Sequence, residues 1–186
     1  MNSRLEKEIE KKFKVTNLAK GDLIQRLQTL GAKFVERKRE KDTYFNVVGR
    51  DSLTTKECLR VRETDIFAEI TYKPPTEAYQ MTQGHFAKKE TNVSVADGKN
   101  AIALLELIGN EILVVVDKDR EYYSLDGCTI AFDVIKDAGL FVEIEVQTDN
   151  EQEALRKINA VAERLGLDES MIESLPYRDI VLDSQK

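Results

Sequence analysis

The chain has 186 residues, which suits one domain with a substantial core, and its 28 Lys and Arg residues against 34 Asp and Glu residues give a net charge of -6. This acidic balance argues against a broad nucleic-acid-binding surface, and no apolar run is long enough for a membrane span or the core of a signal peptide. We therefore expect a single domain over residues 1–186 in a cytoplasmic protein, with no nucleic-acid partner and no membrane contact; a homodimer remains open.

Strand patterns dominate the chain. Alternating apolar and polar residues between turn residues predict eight strands, over residues 8–15, 33–47, 58–63, 67–73, 85–95, 112–123, 129–135 and 140–148. Apolar residues at helical spacing predict helices over 18–30, 97–108 and 150–165, and a glycine follows each of them. Eight strands with about three helices indicate an antiparallel α+β fold.

The first strand carries an unusual charged face. Glu8, Glu10 and Lys12 fall on one side, because strand side chains alternate, while Ile9 and Phe13 fall on the other. A solvated outer face explains one such strand taken alone.

The same alternation recurs in five further strands, which favours a different explanation. Each places charged residues on one face: Arg60 with Arg62, Glu69 with Lys73, Lys88 with Glu90, Lys118 with Arg120, and Glu143 with Glu145. Closure of the sheet into a barrel or tunnel would bring these faces together inside. A charged interior is stable only when it is wet, internally paired or filled by a ligand.

The two signs of charge indicate what that ligand is. The carboxylates of Glu8, Glu10, Glu143 and Glu145 would repel one another unless a cation lay among them, and such oxygen ligands suit Mg²⁺ or Mn²⁺. The Arg and Lys residues need an anion, and phosphate oxygens fit guanidinium and ammonium groups. The sequence therefore predicts a metal-bound polyphosphate.

These residues carry a resemblance to a known family. Glu8-x-Glu10-x-Lys12 resembles the ExExK signature of the CYTH family, the triphosphate tunnel metalloenzymes. The segments that follow in the family's order are Lys41-Asp42-Thr43-Tyr44-Phe45, Leu59-Arg60-Val61-Arg62, Thr71-Tyr72-Lys73, Lys118-Asp119-Arg120 and Phe141-Val142-Glu143-Ile144-Glu145. The resemblance implies an eight-stranded antiparallel β-barrel, the triphosphate tunnel, in a single CYTH-like domain.

The resemblance also implies roles for single residues. The metal ligands would be Glu8, Glu10, Asp133, Glu143 and Glu145. The triphosphate would be held by Lys12, Arg60, Arg62, Lys73, Lys88, Lys118 and Arg120. Lys12 and Arg120 would be catalytic, with Lys12 as a proton acceptor if burial lowers its pKa.

The length and the segment Pro176-Tyr177-Arg178-Asp179 resemble the class IV adenylyl cyclase branch, although Pro176 stands where that branch has serine. The implied reaction converts ATP to cyclic AMP and pyrophosphate. Thiamine triphosphatase and inorganic tripolyphosphatase are alternatives that use the same charges, and a polyphosphate-binding or nucleotide-binding module without turnover is a further one.

Overall fold

The computed structural model describes residues 8–75 and 90–185, and of Glu8 the backbone alone. Eight strands form one antiparallel sheet in the order β1-β8-β7-β6-β2-β3-β4-β5. The strands are β1 (Glu8–Val15), β2 (Lys33–Asn46), β3 (Cys58–Glu63), β4 (Ala68–Lys73), β5 (Thr91–Val95), β6 (Glu111–Leu125), β7 (Cys128–Ile135) and β8 (Gly139–Gln147).

Five α-helices accompany the sheet. They are α1 (Lys20–Thr29), α2 (Ser52–Thr55), α3 (Gly98–Leu107), α4 (Glu151–Leu165) and α5 (Tyr177–Ser184), with one 3₁₀ turn at Glu169–Met171. Side chains of Asp51, Asp97 and Asn150 accept hydrogen bonds from the first turns of α2, α3 and α4, which explains where these helices begin.

The outer face of the sheet is covered in two places. Helices α1 and α4 pack on the apolar side of β1, β7 and β8, where Phe13, Phe132 and Ile144 are fully buried or nearly so. Helix α3 covers β3 and β4 through Ala101 and Leu105. The apolar positions of these strands therefore face outwards, beneath the helices, and the charged positions face the concave side.

Helix α5 lies on the concave side. Its residues Tyr177, Ile180 and Val181 pack with Val116 and Phe141, whose side chains point to that side from β6 and β8. This small apolar cluster fills one end of the concave face and leaves the charged positions beside it.

The α+β class and the eight antiparallel strands are confirmed, and the sheet is curved into a tunnel-like form. Glu10 and Lys12 of β1 and Lys73 of β4 line one cavity, although five strands, β8 through β3, separate β1 from β4 in the sheet. Among the described residues no backbone ladder joins β1 to β5.

Several predicted boundaries need correction. The described part of the strand predicted over 85–95 begins at Thr91, and the segment with Lys88 lies outside the described residues. Helices α2 and α5 were not predicted, because each is short. The predicted hairpin turn at Asp126-Gly127 is confirmed, and both residues have positive φ, 53° and 79°. No helix among the described residues is long and apolar enough to cross a bilayer.

Candidate active site

Charged side chains from five strands, β1, β3, β4, β6 and β8, converge on one cavity of about 270 Å³. All six of the predicted phosphate-binding residues that the structure describes line it, namely Lys12, Arg60, Arg62, Lys73, Lys118 and Arg120. The predicted metal ligands Glu10, Glu143 and Glu145 line it too. Three tyrosines complete the polar wall, Tyr44, Tyr122 and Tyr177.

A buried aspartate, Asp42, binds cations of β3 and β6 in place. Asp42 of β2 is 0% exposed and accepts hydrogen bonds from Nε and Nη2 of Arg62 at 2.7 and 2.8 Å and from Nζ of Lys118 at 3.0 Å. Burial raises the pKa of Asp42, but Lys118, Arg62 and Arg60 outweigh it and hold the pKa well below its usual range. Asp42 is therefore a fixed negative charge that orients the cations.

Arg120 is anchored in a similar way by β7. Its Nε donates to Oδ1 of Asp133 at 2.5 Å, its Nη2 to Oδ2 of Asp133, and Nη2 also to Oε2 of Glu143 at 2.5 Å. The hydroxyl of Tyr177 donates to the same Oδ2 of Asp133 at 2.7 Å. Asp133 is 0% exposed and does not line the cavity. In this structure it therefore holds the guanidinium of Arg120 in position by hydrogen bonds.

Lys12 is held between β1 and the start of α5. Its Nζ donates to the carbonyl oxygen of Leu175 at 2.5 Å and lies 4.4 Å from the centre of the Tyr177 ring. Burial lowers the pKa of Lys12, although Glu143 and Glu10 act in the opposite direction. A lowered pKa increases the fraction of neutral amine, which is the form that can accept a proton, as the predicted role would require.

Lys73 forms an ion pair with Glu90 at the far side of the cavity. Burial and Arg60 lower the pKa of Lys73, but Glu90 and Glu10 outweigh them and leave it raised. Lys73 is therefore a permanent positive charge near neutral pH.

Two carboxylates lie side by side on the part of the cavity wall that β1 and β8 form. Glu10 of β1 and Glu145 of β8 are direct partners in the antiparallel ladder, and Lys12 is the partner of Glu143 one step further along. Side chains of such partners leave the same face of the sheet with Cβ atoms about 5 Å apart. Like charges in this position repel, so the pair is a natural place for a cation.

The carboxylates of the cavity wall fit a divalent cation such as Mg²⁺ or Mn²⁺. Among residues 8–75 and 90–185, no three acidic, histidine or cysteine side chains are gathered around one point. Mg²⁺ is commonly held by one or two carboxylates together with substrate phosphates and water. Glu10 and Glu145 would supply those carboxylates.

The cation wall also fits an anion. The Nε of Arg60 is buried and has no hydrogen-bond acceptor among the described residues. A buried donor without an acceptor is costly, and a phosphate oxygen in the cavity would remove that cost.

The other predicted site residues are not among the described residues that line the cavity. Glu8 lies two positions before Glu10 in β1, opposite Gln147, and its side chain is outside what the structure describes. Lys88 falls in the undescribed segment. The metal-binding role of Asp133 stays a prediction, and its contacts favour the support of Arg120. Sequence reasoning missed Glu40 and gave Asp42 no role, although both lie on the same face of β2 as Tyr44.

Comparison with known proteins identifies the family. The CYTH domain matches residues 6–174. The chain belongs to the CYTH family. CYTH domains are those of the triphosphate tunnel metalloenzymes, so membership implies a triphosphate substrate and a divalent metal.

Relatives of this CYTH protein span its length. A Methanocaldococcus jannaschii protein named "putative adenylate cyclase" is 28% identical over 177 residues, which cover 95% of this chain and 92% of the relative. The PH1012 protein of Pyrococcus horikoshii has a solved structure that is 32% identical, with a TM-score of 0.79 and coverage of 93% of this chain and 98% of that one.

The fold extends to more distant proteins. The Hippeastrum protein HpAC1 is 16% identical and superposes with a TM-score of 0.67 over 96% of both chains. That protein is described as a "putative adenylyl cyclase" with a dominant triphosphatase activity. At this identity the likeness shows the common fold.

Proposed function

We propose that this CYTH protein is a divalent-metal-dependent enzyme that acts on the triphosphate of ATP, as an adenylyl cyclase that forms cyclic AMP and pyrophosphate. The observation that carries the proposal is the arrangement of the cavity: six cations of β1, β3, β4 and β6 line the same cavity as the carboxylate pair of β1 and β8. The name of the Methanocaldococcus relative supports the cyclase reaction among those that a triphosphate allows.

The cation wall would bind and orient the phosphate chain. Arg60 and Arg62 are neighbours on one face of β3, and Lys73 follows on β4, so their donors can grip successive phosphate oxygens. Because Asp42 fixes the guanidinium of Arg62, little reorganisation is needed when the phosphates bind.

Arg120 and Lys12 would act where the bond changes. In the cyclase reaction the ribose 3′-hydroxyl attacks the α-phosphorus and pyrophosphate leaves. Arg120, held by Asp133, would stabilise the negative charge that develops on the phosphate oxygens. Lys12 would accept the proton of the attacking hydroxyl. A Mg²⁺ or Mn²⁺ ion at Glu10 and Glu145 would supply charge neutralisation for the phosphates.

Hydrolysis of a triphosphate is the second candidate. The same cations and carboxylates would serve if water attacked the terminal phosphorus of thiamine triphosphate or tripolyphosphate. The Hippeastrum protein, with its dominant triphosphatase activity, is evidence that this fold supports such a reaction.

Product analysis separates the candidates. The protein is incubated with Mg²⁺ or Mn²⁺ and, in separate reactions, with ATP, thiamine triphosphate or tripolyphosphate. Cyclic AMP with an equal amount of pyrophosphate from ATP supports the cyclase, whereas orthophosphate release selects the hydrolase. Tight binding without any product would reduce the protein to a binding module and contradict both enzyme candidates.

A further inference from the structure

Glu40 is a fully buried acid that neither lines the cavity nor belongs to the predicted site. It is 0% exposed and lies in β2 two residues before Asp42. Burial raises its pKa, but Lys118, Arg62 and Arg120 outweigh this effect and leave the pKa lowered, so Glu40 is a carboxylate near neutral pH. A buried charge of this kind is costly unless neighbouring charges compensate it.

Glu40 and Lys118 are direct cross-strand partners. The register pairs the two residues between β2 and β6, and the Nζ of Lys118 lies 3.1 Å from Oε2 of Glu40. Lys118 itself is almost fully buried, with 1% of its side chain exposed, yet it lines the phosphate cavity. Burial alone would favour the neutral amine, which could not attract phosphate.

The contacts of Glu40 differ from those of Asp42. Asp42 accepts well-formed hydrogen bonds from Arg62 and Lys118, and so fixes their geometry. The Oε2 of Glu40 accepts no well-formed hydrogen bond from the described residues, although Lys118 and Arg62 lie within 3.2 Å of it. Among the same residues its Oε1 accepts only a long hydrogen bond, from the hydroxyl of Tyr122 at 3.4 Å, so Glu40 acts mainly through its charge.

We propose that Glu40 is a positioning residue of the phosphate site, whose charge holds Lys118 in its protonated, phosphate-binding form. The inference rests on the proposed function, because it requires that the cavity bind phosphate. Burial is the largest effect on Lys118 and, together with Arg62 and Arg120, leaves its pKa lowered, while Asp42 and Glu40 oppose this decrease. The charged and titratable groups that face Lys118 are Glu40 and Asp42 on β2, Arg62 on β3, Arg120 on β6, Glu143 on β8 and Tyr177 on α5.

Glu40→Gln tests this role because it removes the charge and keeps the shape. Binding of tripolyphosphate is measured by calorimetry without metal, near pH 6.5 and near pH 9. If loss of the charge lowers the pKa of Lys118 further, the ratio of the variant's Kd to that of the wild type rises, by up to about tenfold, between the lower and the higher pH. Because both proteins meet the same ligand at each pH, ionisation of tripolyphosphate cancels from the ratio.

Two comparisons make the result specific. Asp117→Asn removes one carboxylate from the outer face of β6, next to Lys118 in sequence, where its partner Arg39 is exposed. Its Kd ratio should stay the same at both pH values. In a Lys118→Met background, Glu40→Gln should no longer change the pH dependence, because the residue through which it acts is gone.

The outcomes separate the inference from the proposed function. A Kd ratio for Glu40→Gln that does not change with pH, or that changes equally with and without Lys118, would overturn the role of Glu40 and leave the phosphate site intact. Absence of tripolyphosphate binding to the wild-type protein, with and without Mg²⁺, would instead remove the proposed function itself.

Discussion

The contact between Arg120 and the buried Asp133 leads to a prediction about the free energy of unfolding. Asp133 is fully buried and accepts hydrogen bonds from Arg120 with both oxygens and from Tyr177 with one of them. Asp133→Asn keeps the shape and one acceptor but removes the charge partner of a buried guanidinium. Loss of one partner of a buried ion pair costs about 3–5 kcal/mol. Because Glu143 still lies 2.5 Å from Arg120, we expect the lower end, about 3 kcal/mol.

Urea unfolding followed by circular dichroism measures this loss, since the free energy of unfolding falls linearly with denaturant. The matched control is Asp119→Asn, which removes an acid of β6 from an exposed ion pair with Arg37 and should leave the unfolding midpoint near that of the wild type. Equal midpoints for Asp133→Asn and the wild type would refute the anchor. Recovery of the variant's activity by excess Mg²⁺ would instead favour the metal-binding role predicted from the sequence.

Three further predictions concern the cavity. Arg62→Lys should lower kcat/KM for the triphosphate substrate by about tenfold or more, because lysine cannot reproduce the two-pronged contact; an unchanged value would show that Arg62 does not bind phosphate. Burial raises the pKa of Glu143, but Arg120, Lys12 and Lys118 lower it to about 2, so its contribution to stability is present above its ordinary value of 4.5 and disappears as the pH falls from there towards 2. Glu143→Gln should therefore flatten acid unfolding over that interval, and a titration of the same steepness as the wild type would contradict this. Glu145→Gln should raise the Mg²⁺ concentration needed for half-maximal activity by about tenfold while metal-free tripolyphosphate binding persists, whereas a matched change in both would argue against a metal role.

The strand faces could be predicted where one face is clearly apolar. In β1, Ile9 and Phe13 mark the buried outer face, so the concave position of Glu10 and Lys12 follows from alternation alone. The same reasoning placed the six described cations in one cavity. Their convergence depends on the curvature of the sheet, which the charges suggested and the structure supplies.

The supporting acids could not be predicted in this way. Both faces of β2 are charged in its first half, with Arg37 and Arg39 on one side and Lys38 and Glu40 on the other. Alternation shows that the two sets differ, but no apolar marker says which set is buried. The structure exposes the two arginines on the outer face, paired with acids of β6, and buries Glu40.

Helix α5 escaped prediction for a different reason. Its eight residues form only two turns, and such a short segment is not a stable helix without tertiary contacts. Tyr177 contacts Asp133, Lys12 and Phe141, which are far from it in sequence. Tertiary contacts with the concave face of the sheet therefore stabilise this helix. The periodicity of its own sequence does not reveal those contacts.

A crystal structure of the protein with Mn²⁺ and tripolyphosphate would show directly where the metal and the phosphates bind, because the anomalous scattering of manganese locates the ion. We expect a manganese peak between the carboxylates of Glu10 and Glu145, with phosphate oxygens against Arg60, Arg62 and Lys118. Tripolyphosphate bound outside this cavity, or manganese bound away from both glutamates, would contradict it.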